Sequence, residues 1–180
     1  DDGLFILNPD GSYQLLRQNS IFASSRANFD KNQRQVAGLA LDQENNLWVT
    51  TMFTSPQLYL KTPDDNWYKF LVPNVQDAGP CLVDDNGQIW FVSYSGGVVV
   101  YNTNGTATDQ SDDVSYHLLK GAGVGNLPSN GVLCIAKDEK NNIWVGTDDG
   151  IGIISNCSAP FTQSPPCDAD IPIVQYDQYA

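Results

Sequence analysis

Leu39-Ala-Leu-Asp-Gln-Glu-Asn-Asn-Leu-Trp-Val-Thr-Thr51 has two further versions in the same chain: Cys81-Leu-Val-Asp-Asp-Asn-Gly-Gln-Ile-Trp-Phe-Val-Ser93 and Ile135-Ala-Lys-Asp-Glu-Lys-Asn-Asn-Ile-Trp-Val-Gly-Thr147. Each runs from an apolar strand through Asp and a polar turn to Leu or Ile, then Trp and an answering strand. The Asp precedes the Trp by six residues every time: Asp42 and Trp48, Asp84 and Trp90, Asp138 and Trp144. A fixed internal period has to be identified before any single element is assigned, because it dictates the architecture.

The tryptophans stand 42 and 54 residues apart, and a polar insert between Asn102 and Val114 accounts for the longer interval. Around each core motif the pattern reads strand, turn, Trp strand, turn, strand, turn, strand. In the first unit the later strands are Gln57–Lys61 and Trp67–Leu71. In the second they are Val98–Tyr101 and Tyr116–Leu119, and in the third Ile151–Ile154 and Ile173–Asp177. Four short antiparallel strands in about 40–50 residues is the period of a propeller blade. Runs such as Val98-Val-Val-Tyr101 are apolar on both faces, as stacked blades require. Leucine-rich repeats are shorter, and no stretch has helical periodicity.

The expected fold is all-β: a partial β-propeller of about three and a half four-stranded blades. Residues 1–17 form a half blade, a hairpin closed by Asn8-Pro-Asp-Gly11 that matches strands three and four of a unit. Residues 36–71, 78–119 and 131–177 form full blades. A closed seven-bladed ring at this period needs about 300 residues, more than the 180 present. Open blade faces and strand edges drive association. The chain is therefore expected either to continue into further blades or to self-associate. It begins within a strand pattern, Asp1-Asp-Gly-Leu-Phe-Ile-Leu7, without a leader pattern, as a stretch of a longer protein would.

Composition narrows the function. A formal net charge of −12 argues against nucleic acid and anionic membrane surfaces, which attract basic patches. No apolar run approaches the ~20 residues of a membrane span. Cys157 and Cys167 flank a Pro-rich loop and suit a local disulfide and an oxidising compartment. Cys81 lies three residues before its repeat Asp and Cys134 four before its own. They should point to opposite faces as small buried apolar side chains.

The third unit carries a family resemblance. Ile143-Trp-Val-Gly-Thr-Asp-Asp-Gly-Ile-Gly152, preceded by Lys137-Asp-Glu-Lys-Asn-Asn142, resembles the two-component regulator propeller repeat. The other units depart from its Gly-Thr, with Val49-Thr-Thr51 and Val92-Ser-Tyr94. The segment from Gly150 through Cys157 and Cys167 to Ala180 is similar to PorZ-like surface propellers of type IX secretion. The resemblance implies an extracytoplasmic, non-catalytic module, periplasmic or at the cell surface. It implies either a type IX secretion surface component or, alternatively, the sensor region of a hybrid two-component regulator.

Catalytic machinery is not expected, nor is a cofactor. His117 is the single histidine and has no sequence neighbour that would act as its partner. Lyases with a similar Ile-Trp-Phe repeat use histidine and a metal, as that resemblance implies, which makes a propeller lyase or hydrolase the weakest reading. The acidic turns, such as Asp84-Asp-Asn-Gly87, lack the ordered spacing and closing Glu of a calcium loop. They are read as turn residues, with each repeat Asp binding turn amides. Trp48, Trp90 and Trp144 are read as blade-to-blade packing. The candidate binding residues are Phe53, Tyr94, Asp148 and Asp149, four or five positions past each Trp. Loops from neighbouring blades converge there and could contact protein or glycan.

Overall fold

The computed structural model describes residues 3–17, 20–22, 34–155, 157 and 167–173. Among them are thirteen strands and no helix. A hairpin of β1 (Leu4–Leu7) and β2 (Tyr13–Leu16) comes first. The first four-stranded meander follows: β3 (Gln35–Leu41), β4 (Leu47–Met52), β5 (Leu58–Lys61) and β6 (Trp67–Phe70). The second is β7 (Ala78–Val83), β8 (Ile89–Ser93), β9 (Val98–Asn102) and β10 (Val114–Leu118). The third sheet is β11 (Val132–Lys137), β12 (Ile143–Thr147) and β13 (Gly150–Ile154). All pairs are antiparallel between strands consecutive in sequence, so each sheet is a simple meander of hairpins.

The first strands of the three sheets lie side by side, β3 against β7 and β7 against β11. This is the inner wall of a propeller. The approach is close: a Cβ on Gly38 would sit 2.6 Å from the Cys81 backbone nitrogen and 2.7 Å from Thr50 Oγ1. Only a residue without a side chain lets β3 and β7 meet there.

Two apolar layers fill the gaps between sheets. Trp48, Leu58, Leu60 and Phe70 of the first blade meet Ile89, Phe91, Val99 and Tyr101 of the second. Trp90, Val92, Val98 and Val100 meet Ile143, Val145 and Ile154 of the third. Alternation along each strand sends successive residues to opposite neighbours. Both faces of β8 and β9 are therefore buried, as their apolar runs require. The β1–β2 hairpin covers the outer part of the first blade's other face, through Leu4, Ile6 and Leu16 against Val49, Tyr59 and Trp67.

Some expectations need correction. The β9–β10 hairpin extends into the predicted insert, with Val114 paired to Asn102, because the chain returns in register before the apolar Tyr116–Leu119 run. A fourth strand at 173–177 falls almost wholly outside the described residues. Asp170 instead forms an isolated antiparallel bridge with Ile153 on the free side of β13. Cys81 and Cys134 do point to opposite faces, opposite Phe91 and Gly146 respectively. Cys134, however, is exposed rather than buried, since nothing among the described residues packs on that face of the third blade. For the same reason Trp144 is 39% exposed, whereas Trp48 and Trp90 are at 1% and 0%.

Candidate functional site

The repeat Asp explains both the turn and the six-residue spacing to Trp. One oxygen of Asp42 accepts from the amides of Glu44 (3.1 Å) and Asn46 (2.8 Å), and the other from Asn46 Nδ2 (2.9 Å) and Trp48 Nε1 (3.0 Å). Asp84 accepts likewise from the Asn86 and Gln88 amides, Gln88 Nε2 and Trp90 Nε1. Asp138 accepts from the Lys140 and Asn142 amides, Asn142 Nδ2 and Trp144 Nε1. The third turn residue has a left-handed backbone each time: Asn45 at φ 62°, Gly87 at 76° and Asn141 at 61°. Asn and Gly are the residues that tolerate it, which is why the turn reads Asn or Gly there. The Trp144 indole, followed by the Asn142 side chain and backbone, holds the Asp138 carboxyl well below the usual carboxylate range. These carboxylates are committed to scaffolding.

Gln88 replaces the Asn of the other two blades, and its longer side chain does a second job. Its Nε2 also donates to the Cys157 carbonyl at 2.6 Å. Cys157 and Cys167 are disulfide-bonded, and both are buried in the layer between the second and third blades. The disulfide is thus part of the inter-blade core as well as a loop closure.

The candidate binding residues lie at the opposite ends of the strands from the Asp turns. Phe53 follows β4 and has a left-handed backbone, φ 57°, which a bulky side chain adopts only when its surroundings fix it. Its amide donates to Asp77 Oδ1 at 3.2 Å. The Tyr94 amide donates to the Asp77 carbonyl at 3.0 Å. Asp77, on the connection into inner strand β7, therefore joins the two aromatic positions of adjacent blades. The half-exposed Tyr94 ring lies over Gly79, where an added Cβ would come within 3.0 Å of it. Asp148 repeats the Tyr94 arrangement one blade on: its amide donates to the Gly131 carbonyl (3.0 Å) and its carboxylate folds over Gly131. Asp149 lies 3.7 Å from Lys120 in an exposed ion pair, a weak interaction.

Asp77 escaped sequence reasoning because it precedes a strand and lies 24 residues from Phe53. No local pattern marks such a residue. Two clefts escaped it as well. One, of about 280 Å³, lies between the first two blades at the Asp-turn end and is lined by Glu44, Trp48, Asn86, Asn102 and Thr103 among others. The other, of about 390 Å³, lies between the β4–β5 turn and the β6–β7 connection, lined by Thr54, Gln57, Val72 and Asn74 among others. None of the four candidate binding residues lines either cleft.

Two further polar features sit on outer strands. Tyr101 donates its hydroxyl to Asp113 at 2.5 Å. Burial, then the Asp113 bond and charge, push the Tyr101 hydroxyl up, and burial also raises Asp113. His117 Nε2 lies 3.3 Å from the Pro73 carbonyl oxygen. Among the described residues no group of three or more His, Cys, Asp or Glu side chains could hold a metal ion.

Comparison with known proteins places the fold. The family model "Two component regulator propeller" matches residues 126–149. No curated protein matches the sequence. PorZ, a surface component of the type IX secretion system of Porphyromonas gingivalis, is structurally similar with a TM-score of 0.74 and 22% identity. That match covers 94% of this chain and 24% of PorZ. The extracellular domain of a one-component system from B. thetaiotaomicron matches at TM-score 0.61 and 20% identity, covering 84% of this chain and 19% of its own. Virginiamycin B lyase from Staphylococcus aureus matches at TM-score 0.52 and 14% identity, covering 68% and 38%. The chain thus spans about a quarter or less of the first two proteins and well under half of the third. It is a stretch of β-propeller, and its third repeat matches the two-component regulator propeller family.

Proposed function

We propose that this chain is an extracytoplasmic, non-catalytic propeller module that binds a protein or glycan partner at the Phe53–Tyr94 rim. The observation that carries the reading is the Asp77 bridge, which fixes two aromatic positions of neighbouring blades at the end where the inter-blade connections meet. Rigid aromatic side chains held on a scaffold are the usual anchors of binding surfaces. The repeat carboxylates, each saturated by four donors, serve the fold rather than proton transfer. The Cys157–Cys167 disulfide suits an oxidising compartment. The likeness to PorZ over nearly the whole chain supports a surface component of type IX secretion.

The family model over residues 126–149 favours a second reading, the sensor region of a two-component regulator. The natural reading frame on either side of these residues separates the two. A membrane span followed by a histidine-kinase module would establish the sensor. Further blades followed by a small β-domain and a secretion tail would establish the secretion component. Tyr94→Ala tests the site itself: the melting temperature should stay within about two degrees, as for an exposed side chain, while partner binding weakens. Unchanged binding removes the rim from consideration.

A further inference from the structure

The three repeats allow the turn after each Trp strand to be compared, and the first blade departs from the other two. Gly97 closes this turn in the second blade, its carbonyl accepting from the Ser93 amide at 3.1 Å, and Gly150 closes it in the third, paired with Thr147. In the first blade the same place is held by Gln57, whose carbonyl accepts from the Thr51 amide at 2.8 Å. The intervening turn is also longer there, residues 52–56 against 94–96 and 148–149. A Cβ on Gly97 would stand 2.2 Å from the Leu118 carbonyl oxygen, so the second blade has no room for a side chain at this position. The blade repeat therefore does not itself call for a glutamine.

Gln57 is 4% exposed and lines the cleft of about 390 Å³ between the β4–β5 turn and the β6–β7 connection. Its Nε2 donates to the Val75 carbonyl at 2.7 Å, which identifies the other end of the amide as the acceptor. That acceptor, Oε1, is buried and has no hydrogen-bond partner among the described residues. A buried acceptor left without a donor costs about 1–3 kcal/mol. The nearby Thr54 hydroxyl does not relieve it, because it is engaged by Thr51 Oγ1 at 2.6 Å and the Pro56 carbonyl at 3.0 Å. The cleft is the open space beside Gln57, so a donor that satisfies Oε1 enters from there.

The lining defines the donor. Leu71, Val72, Pro73 and Val75 are apolar, and no charged residue lines the cleft. A charged group would enter without an opposite charge to pair with. A sugar ring would bring several hydroxyls to one free acceptor and leave the others without partners. An apolar body with a single donor at its tip matches both features. The volume lies within the ~300–1,000 Å³ of small-molecule clefts. We propose that this cleft takes a tyrosine side chain of a protein partner, its ring against Leu71, Val72 and Val75 and its hydroxyl donating to Gln57 Oε1. Tyrosine anchors of this kind, apolar in body and polar at the tip, are enriched at protein interfaces. The inference goes beyond the rim reading, since neither Phe53 nor Tyr94 lines the cleft.

The test titrates the full chain with N-acetyltyrosinamide and follows its amide resonances by two-dimensional NMR. The Gln57 side-chain amide and the backbone amides of residues 54–57 and 71–76 should shift and saturate at millimolar probe. N-acetylphenylalaninamide, which lacks only the hydroxyl, should bind about three- to tenfold more weakly, the worth of one neutral hydrogen bond. Gln57→Met removes the acceptor and should abolish the difference between the two probes. That variant also loses the bond to Val75 and can fail to fold, so Leu71→Asp provides a second check. Leu71 is 67% exposed, so its substitution should leave the melting temperature within about two degrees while a carboxylate at the mouth weakens both probes. Tyr94→Ala should leave probe binding unchanged, so the cleft and the rim fail separately. Equal affinity for the two probes, no shift around Gln57 at millimolar probe, or tighter binding of methyl glucoside than of the tyrosine probe would overturn the proposal.

Discussion

Replacing Trp by Phe at equivalent positions in two blades separates what the repeat motif contributes from what blade stacking contributes. Trp90 and Trp144 donate to their Asp partners at the same distance, 3.0 Å. They differ in surroundings: Trp90 is fully buried and its Asp84 is 3% exposed, while Trp144 is 39% exposed. Trp90→Phe removes a donor from a buried carboxylate that water does not reach. A hydrogen bond to a charged group is worth about 1.5–3 kcal/mol, and the smaller ring leaves a void costing about 1 kcal/mol more. The expected loss is about 3 kcal/mol, or roughly 6–12 °C in melting temperature for a chain of this size. Trp144→Phe faces solvent, water replaces the indole, and the loss stays below about 1 kcal/mol. Urea titrations followed by far-UV circular dichroism measure both. A double-mutant cycle with Asp84→Asn then isolates the indole–carboxylate pair, with an expected coupling of about 1–3 kcal/mol. Equal losses for Trp90→Phe and Trp144→Phe would refute the reasoning, because burial would then not set the value of the bond.

Gly38→Ala should destabilise by about 1–3 kcal/mol through overpacking, since its Cβ would meet the Cys81 backbone at 2.6 Å; chemical denaturation checks this. Cys157→Ala/Cys167→Ala opens a loop of sequence separation 10 and should cost about 2–3 kcal/mol on chain-entropy grounds. A reductant should lower the melting temperature of the parent and leave the double variant unchanged. The Asp138 carboxyl is held below its unfolded value, so its contribution is present above pH ~4 and is lost as pH falls through the folded value. Asp138→Asn should therefore flatten the decline of melting temperature between about pH 4 and pH 2, and a decline as steep as the parent's would count against the assignment.

The proposed rim divides between what was legible and what was not. Phe53, Tyr94, Asp148 and Asp149 could be selected from sequence because each falls at a set distance beyond a repeat Trp. Their anchoring could not. The Asp77–Tyr94 and Gly131–Asp148 contacts extend the β7–β8 and β11–β12 ladders by one rung within a blade. The Asp77–Phe53 contact joins two blades, so it depends on how the blades are placed, and short-range spacing contains no record of that placement.

Local sequence is enough to specify the blades. Period-two apolar strands, a left-handed Asn or Gly at the third turn position and Asp six residues before Trp are local requirements, met within about a dozen residues. They make each hairpin read the same way wherever it sits. Which copies of one motif are core and which are surface follows from the stacking of the sheets. Trp90 and Trp144 are the same residue in the same local frame, and Leu39 and Ile135 are apolar residues at one equivalent position, three before the repeat Asp. Their burial depends on whether a neighbouring sheet covers that face. Stacking is a contact between elements far apart in the chain, so its free energy is set by neighbours that the local pattern does not encode.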